Sequence, residues 1–326
     1  MPRRPPKLAL LTALALATGT ACSRGGDRDV RTRALATFAG EGRPAALDPD
    51  RPLEALRLSG DDAAARAGSF AWEAKVAWTV ARPGAAPVHL VERHRIRQLA
   101  TGEFEVSADL DPGAGPGSGT GKQVVYAGGM TYARGKWAPF RERPTDRGRD
   151  ARRFRDDSFR MAADVADLLG PALSAQPSGE ASFLGRRARR YVLSLADAAQ
   201  PKPPPPPAAL PGGKYDPETR KRLDFLEGRI PTALSGEMLV DAATGLPLSI
   251  SLRGTFSQQS DPQLRADLEL DAAVRSLGGE VAAVPPPRGA LADERKPKGV
   301  ARALEAAGLR QRGAAPAEEE EAQPEE

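Results

Sequence analysis

The chain has 326 residues, of which 40% are hydrophobic, with a formal net charge of +4 and a single cysteine. This length and hydrophobic fraction allow one or two buried cores. One cysteine excludes an intramolecular disulfide and a cysteine-paired zinc site, so stability must come from packing.

The first predicted element is an export signal at residues 1–21. Basic residues in "MPRRPPK" precede an apolar run from Leu8 to Ala17, and small residues follow from Thr18 to Ala21. A charged start, a short apolar middle and small residues before a cleavage point are typical of a secretory signal peptide. The apolar run is too short for a membrane-spanning helix, which needs about 20 residues.

Cys22 follows the small residues directly, in "GTAC". This arrangement resembles the signal of bacterial lipoproteins, in which the cysteine is acylated and becomes the mature N-terminus. The resemblance implies that acyl chains such as palmitate anchor the chain in a lipid bilayer. The residue after the cysteine is Ser23. In this family a Ser at that position, where an Asp would direct otherwise, implies sorting to the outer membrane, with the folded body on the periplasmic side. The alternative is an ordinary signal peptide with an incidental cysteine.

Residues 22–50 are polar, rich in Gly and Arg, and show no sustained apolar period. We expect a flexible tether between the membrane and a folded domain.

Alternation of apolar and polar residues begins at residue 70 and recurs along the chain. The stretches are "FAWEAKVAWTV" (70–80), "GEFEVSADL" (102–110), "RRYVLSLAD" (189–197), "GLPLSISLRGTF" (245–256) and "RADLELDAAV" (265–274). A period of two predicts strands with one face in a core and one in water, which is typical of an antiparallel sheet. Gly128 and Gly129 predict a tight hairpin, and residues 111–122 a Gly-rich hairpin loop.

Three helices are predicted, over residues 51–66, 150–174 and 215–230. The third has the clearest start, with Asp216 as N-cap and Pro217 at the first helical position. Together with the strands they predict an α+β fold, mainly β, in a single domain over residues 51–284.

Two segments of biased composition lie outside the predicted elements. Residues 201–213 contain a proline run, which favours an exposed polyproline spacer over a docking segment for an aromatic-lined partner. Residues 285–326 mix Pro, Lys, Arg and Ala and end in a run of Glu. This composition predicts a disordered, acidic tail.

Residues suited to catalysis are few. The two histidines, His89 and His94, are five apart in a strand pattern, so they are expected on opposite faces of the sheet. Neither a zinc-protease motif nor a nucleophile elbow is present in the sequence. The sequence therefore predicts a protein that is not an enzyme and that uses neither a metal nor a cofactor.

Arginines cluster around Arg149, Arg152, Arg153 and Arg155. Because a guanidinium matches the geometry of a phosphate group, these four are candidates for anion binding. The alternative is a solvated, charged surface. Nucleic acid is excluded as a partner if the chain is exported.

The chain contains a series of segments in the following order: helix 51–66, "GSFAWEAKVAW", "YAGGMTYARGKWAPF", helix 150–174 and "GEMLVDAATGLPLSISL". This order resembles the periplasmic lipoprotein carriers of the lipoprotein-localisation system and related envelope lipoproteins that bind lipids. The resemblance implies a curved antiparallel sheet, or half-barrel, with about three helices on its concave side.

Such a fold implies an apolar cavity under the sheet that takes a lipid or an acylated ligand. The expected lining residues are Trp72, Val76, Trp78, Phe104, Val106, Tyr191, Leu193, Leu248 and Ile250. The alternative for each is ordinary core packing. A second hypothesis is a non-catalytic interaction or scaffold lipoprotein of an envelope assembly, with a protein partner that the sequence does not identify.

Overall fold

The computed structural model describes residues 47–292 apart from residues 114, 116, 145 and 197–216. The predicted leader, Cys22, most of the predicted tether, the proline run at 201–213 and residues 293–326 therefore lie outside the described residues.

Among the described residues, one antiparallel sheet of eleven strands forms the body, in the order β6-β5-β4-β3-β2-β1-β11-β10-β9-β8-β7. The strands are β1 Phe70–Ala81, β2 Val88–Gln98, β3 Phe104–Asp111, β4 Thr120–Ala127, β5 Met130–Gly135, β6 Arg141–Glu142, β7 Leu173–Phe183, β8 Arg186–Leu195, β9 Arg229–Asp241, β10 Pro247–Gln258 and β11 Asp261–Leu277. The sheet is curved and does not close, which confirms the predicted α+β, half-barrel-like class.

The register places apolar side chains of neighbouring strands on the same face. In β1, Trp72 lies opposite Val274 of β11 and Ile96 of β2, and all three are buried. The polar partners on the other face, such as Glu73 and Arg95, stay accessible to water. The predicted period of two is therefore confirmed.

In the part of the chain that the structure describes, four α-helices accompany the sheet: α1 Gly60–Ala67, α2 Arg149–Phe159, α3 Met161–Leu169 and α4 Pro217–Gly228. The prediction of one continuous helix over residues 51–66 is wrong, because a separate 3₁₀ helix at Pro52–Arg57 precedes α1. Ser59 starts α1 as its N-cap, with its Oγ accepting from the Asp62 backbone N–H at 3.0 Å. The Asp62 carboxylate accepts from the Ser59 N–H in return, and this capping box sets the boundary.

The predicted helix at 150–174 is also divided. Arg160 leaves the helical conformation between α2 and α3, and Gly170 ends α3 with a φ of 54°. The chain then enters β7, a strand that the sequence did not predict because its residues are mostly polar and exposed. The third helix starts at Pro217 as predicted, whereas Ile230 belongs to β9.

The segment after β11 crosses the face of the sheet opposite the helices. Val284 is buried against Val125 and Ala127. At the β6 edge the Leu291 N–H donates to the Phe140 carbonyl at 2.8 Å, and the Glu142 N–H donates to the Leu291 carbonyl at 2.8 Å. The packed body thus continues past residue 284, where the domain was expected to end. Among the described residues, no helix is long and apolar enough to cross a membrane.

Candidate functional site

The concave face of the sheet carries one continuous apolar cluster. All nine of the predicted lining residues belong to it, and each is buried: Trp72, Val76, Trp78, Phe104, Val106, Tyr191, Leu193, Leu248 and Ile250. They come from strands on both sides of the β1–β11 pair, so the apolar face extends across most of the sheet.

Side chains from the helices fill this face. The Phe159 ring of α2 lies 5.2 Å from the Trp72 ring, between centroids, and 5.8 Å from the Phe70 ring. The Phe225 ring of α4 meets the Trp78 ring edge-on at 6.4 Å. The nine residues thus pack as core in this structure, and an acyl chain would have to replace a helix to reach them.

Helices α2 and α3 cover the sheet with very different surfaces. The buried residues of α3 are all apolar, and they include Met161, Val165 and Leu169. In α2, which packs on β2, β3 and β4, Ala151 and Phe159 are buried together with the polar residues Arg155 and Ser158. Helix α2 therefore places polar groups against a part of the sheet that is apolar at Trp72 and Phe104 but polar at Gln98.

Arg155 is the centre of a buried polar network under α2. Its side chain is 2% exposed, and its guanidinium lies 4.9 Å from the centroid of the Phe104 ring. Its Nη1 donates to the Gln98 side-chain oxygen at 2.8 Å, and its Nη2 donates to Asp61 and to Asp156, the latter at 2.9 Å. This one side chain links α1, α2 and β2.

The other three predicted anion-binding arginines do not join Arg155. Arg149 pairs with the neighbouring Asp150, and Arg153 with Asp157 one helical turn later. The guanidinium of Arg152 lies over the Tyr126 ring, 5.7 Å from its centroid. The structure therefore separates the predicted cluster into one buried structural arginine and three accessible ones.

Several polar atoms on this face are buried without a hydrogen-bond partner among the described residues. They are the Trp72 Nε1, the His94 Nδ1 and the Ser158 Oγ. His94 does pair through its Nε2 with Glu92, at 2.7 Å. Each unsatisfied buried group costs about 1–3 kcal/mol. The contacts between α2 and the sheet are thus weakened by unpaired polar groups.

The two histidines lie on opposite faces, as predicted. His94 is on the concave face, and His89 is on the outer face beside the Thr79 hydroxyl at 3.0 Å. Within the part of the chain that the structure describes, no group of three or more metal-binding side chains comes together.

Burial raises the pKa of three carboxyl groups on the helices, Asp156, Asp157 and Asp164, and the shift is large at two of them. The pKa of Asp156 is raised to about 6, because burial outweighs the effect of Arg155. The pKa of Asp164 is raised to about 7, again by burial, with Arg160 opposing the shift and nearby acids reinforcing it. A carboxyl group with a raised pKa holds its proton more readily in the folded chain, so its contribution to stability falls as pH rises through that pKa.

The Asp164→Asn variant should therefore be less sensitive to pH than the wild type. The wild type loses this stability between about pH 4, the ordinary pKa of an aspartate, and about pH 7. We therefore expect the Tm of the variant to rise by about 2–4 °C at pH 8, equivalent to ~1 kcal/mol, with little change at pH 4. Thermal melting at both pH values measures this. Asp271→Asn, at an exposed position on the outer face of β11, is the control. An equal gain at pH 4 and pH 8 would contradict the titration of Asp164.

The geometry defines a class of structure, namely an open, curved antiparallel sheet with a helix-covered apolar concave face. No protein-family model matches the chain, and no curated protein matches it. The structure is similar to that of a LolA superfamily protein from Nitrosomonas europaea, with 13% identity, a TM-score of 0.20, and coverage of 72% of this chain and 97% of that one. It is also similar to that of a DUF1329 family protein from Desulfovibrio piger, with 10% identity, a TM-score of 0.22, and coverage of 72% and 96%. Likenesses at these values give no information about a ligand of this chain.

Proposed function

We propose that this chain is an exported lipoprotein that binds a lipid or an acylated ligand on the concave face of its sheet. The observation that carries the proposal is the polar underside of α2, which buries Arg155 and Ser158 and places the Arg155 guanidinium over the Phe104 ring of the apolar cluster. An apolar face of a sheet is stabilised more by an apolar cover than by a polar one.

The exchange of α2 for an acyl chain is energetically reasonable. Each buried methylene group contributes about 0.8 kcal/mol, so about ten of them contribute about 8 kcal/mol. Helix α2 fully buries two apolar side chains, Ala151 and Phe159, and half-buries a third, Phe154. An acyl chain of ordinary length therefore offers enough apolar surface to compete with α2, whereas α3, with its apolar underside, stays in place.

The proposal includes acyl groups on Cys22 as an anchor to the outer membrane. The tether in this proposal ends before Leu47, because Leu47 packs against the apolar cluster and the Pro49 carbonyl accepts from the Tyr191 hydroxyl at 3.1 Å. The proposal contains no catalytic step, because it requires only that an apolar ligand be held and released.

Native tryptophans make the binding test specific. Trp72 and Trp78 are buried on the concave face, and Trp137 is 78% exposed. In the Trp137→Phe variant, emission reports on the concave face alone. We expect a brominated fatty acid to quench this emission strongly, because bromine quenches only at short range, and the same fatty acid without bromine to leave it nearly unchanged.

A second variant locates the bound chain. Trp72→Phe in the Trp137→Phe background removes the ring that lies against Phe159 of α2 and leaves Trp78, whose ring meets Phe225 of α4. Quenching should be weaker in this variant if the ligand replaces α2. If the brominated acid quenches only the protein that retains Trp137, the ligand stays on the surface and the proposal is wrong.

A further inference from the structure

The outer face of the sheet, opposite the helices, contains a trough with a volume of about 440 Å³. Side chains of β1–β5 and β11 form its walls, and charged residues of both signs alternate along it. Lys122 also borders the trough, although its ammonium group lies over the Phe154 ring of α2. This trough takes no part in the proposed lipid site.

One end of the trough holds a carboxylate shared by two arginines. The Arg95 Nε lies 3.4 Å from one oxygen of Glu73, and the Arg275 Nε lies 3.0 Å from the other. All three side chains are accessible to water. Two guanidinium groups against one carboxylate leave one positive charge in excess at this end.

A cross-strand ladder of hydrogen bonds runs toward the other end. Arg97 and Gln123 both donate to Glu105, and the Arg134 Nε donates to the Gln123 side-chain oxygen at 2.8 Å. The Arg134 guanidinium also lies over the Phe140 ring, 4.5 Å from its centroid. Among the described residues Arg134 has no carboxylate partner, so this end carries a second excess positive charge.

Donors remain available for a ligand. A guanidinium has five N–H donors, yet Arg95, Arg134 and Arg275 each use only Nε in contacts with described residues. Just past the end of β5, the Lys136 Nζ lies 3.6 Å from an Asp109 carboxylate oxygen and 5.6 Å from the centroid of the exposed Trp137 ring. Trp137 thus offers a flat apolar surface beside the trough.

The spacing of the charges indicates the kind of ligand. Glu73 lies on β1 and Arg134 on β5, four strand spacings apart, which is about 19 Å at ~4.8 Å each. A single small anion cannot reach both ends. Carboxylates between the ends accept hydrogen bonds from hydroxyl groups, but they repel a uniformly anionic bilayer surface.

We propose that this trough binds an anionic oligosaccharide, with its acidic groups on the arginines at the two ends and its hydroxyl groups on the carboxylates between them. A sugar ring stacks on Trp137 where the chain leaves the trough. The ligand class is thus a carbohydrate that bears carboxylate or phosphate groups.

Calorimetric titration of the mature chain with oligogalacturonate, a carboxylated oligosaccharide, tests this proposal. A neutral chitin oligomer of similar length serves as the ligand control. We expect binding of the anionic oligomer only, weakening as salt increases. The double variant Arg134→Gln/Arg275→Gln should bind it at least about tenfold more weakly, because charge-assisted hydrogen bonds are lost at both ends.

A matched control removes the same charge from the same face outside the trough. Arg190 pairs with Glu237 at 3.4 Å and Arg253 with Glu269 at 3.4 Å, so Arg190→Gln/Arg253→Gln should bind like the wild type. Equal loss in both double variants, equal binding of the neutral oligomer, or complete competition by inorganic phosphate would overturn the proposal. So would arginine-dependent binding of anionic phospholipid vesicles without binding of the oligosaccharide.

Discussion

Replacing Arg155 by methionine is expected to lower the free energy of unfolding by about 3–5 kcal/mol. The substitution keeps an unbranched chain of similar length but removes the guanidinium that pairs with Asp156 and Gln98. Asp156 then remains buried without its cationic partner, and a buried carboxylate without such a partner is strongly destabilising. Urea denaturation followed by circular dichroism measures the loss.

Two further variants separate this effect from a general effect of charge. Arg153→Met removes an arginine whose side chain is 65% exposed on the same helix. This substitution should lower the free energy of unfolding by at most about 0.5 kcal/mol. Arg155→Met/Asp156→Asn removes both members of the buried pair and should recover part of the stability. A loss below about 1 kcal/mol in Arg155→Met alone would show that the network does not hold α2 in place.

Replacing Cys22 by serine is expected to move the protein almost completely from the membrane fraction to the soluble fraction. Each buried methylene group of an acyl anchor contributes about 0.8 kcal/mol to membrane attachment, so loss of all acyl chains removes the anchor. Fractionation with immunoblotting measures the shift, and intact mass measures the acyl groups directly. Ser23→Ala keeps the cysteine and should remain in the membrane. Wild-type protein with an unmodified Cys22 would contradict the proposed anchor. It would not decide whether the concave face binds a ligand, which the fluorescence quenching experiment tests separately.

The strands of the central sheet were largely predictable from sequence. In β1 and β11 a buried apolar face alternates with a wetted polar face, so the period of two is visible in the residues themselves. Strand β7 carried no such signal, because an edge strand with few buried residues needs no apolar stripe. The break at Arg160 has no Gly, Pro or side-chain cap to mark it, so the local sequence contains no signal for it.

The role of Arg155 was the main omission, although a signal for it exists. Ala151, Arg155 and Phe159 are spaced four residues apart and so share one stripe of α2, the stripe that is buried. In a segment dense in arginine, composition favoured a solvated surface for all of them. The trough on the outer face was also missed, because its charged residues come from six strands and only the register brings them together.

The central position of the β1–β11 pair has a consequence for how the protein is made. The first strand of the sheet finds one of its two neighbours only after the last strand has emerged, more than half of the chain later. Closing so large a loop is slow, because the intervening chain must lose conformational entropy before the contacts between β1 and β11 form and compensate for that loss. Until then both halves expose unpaired edges at what becomes the middle of the sheet. A chain that crosses a membrane before folding would need protection from aggregation during that interval.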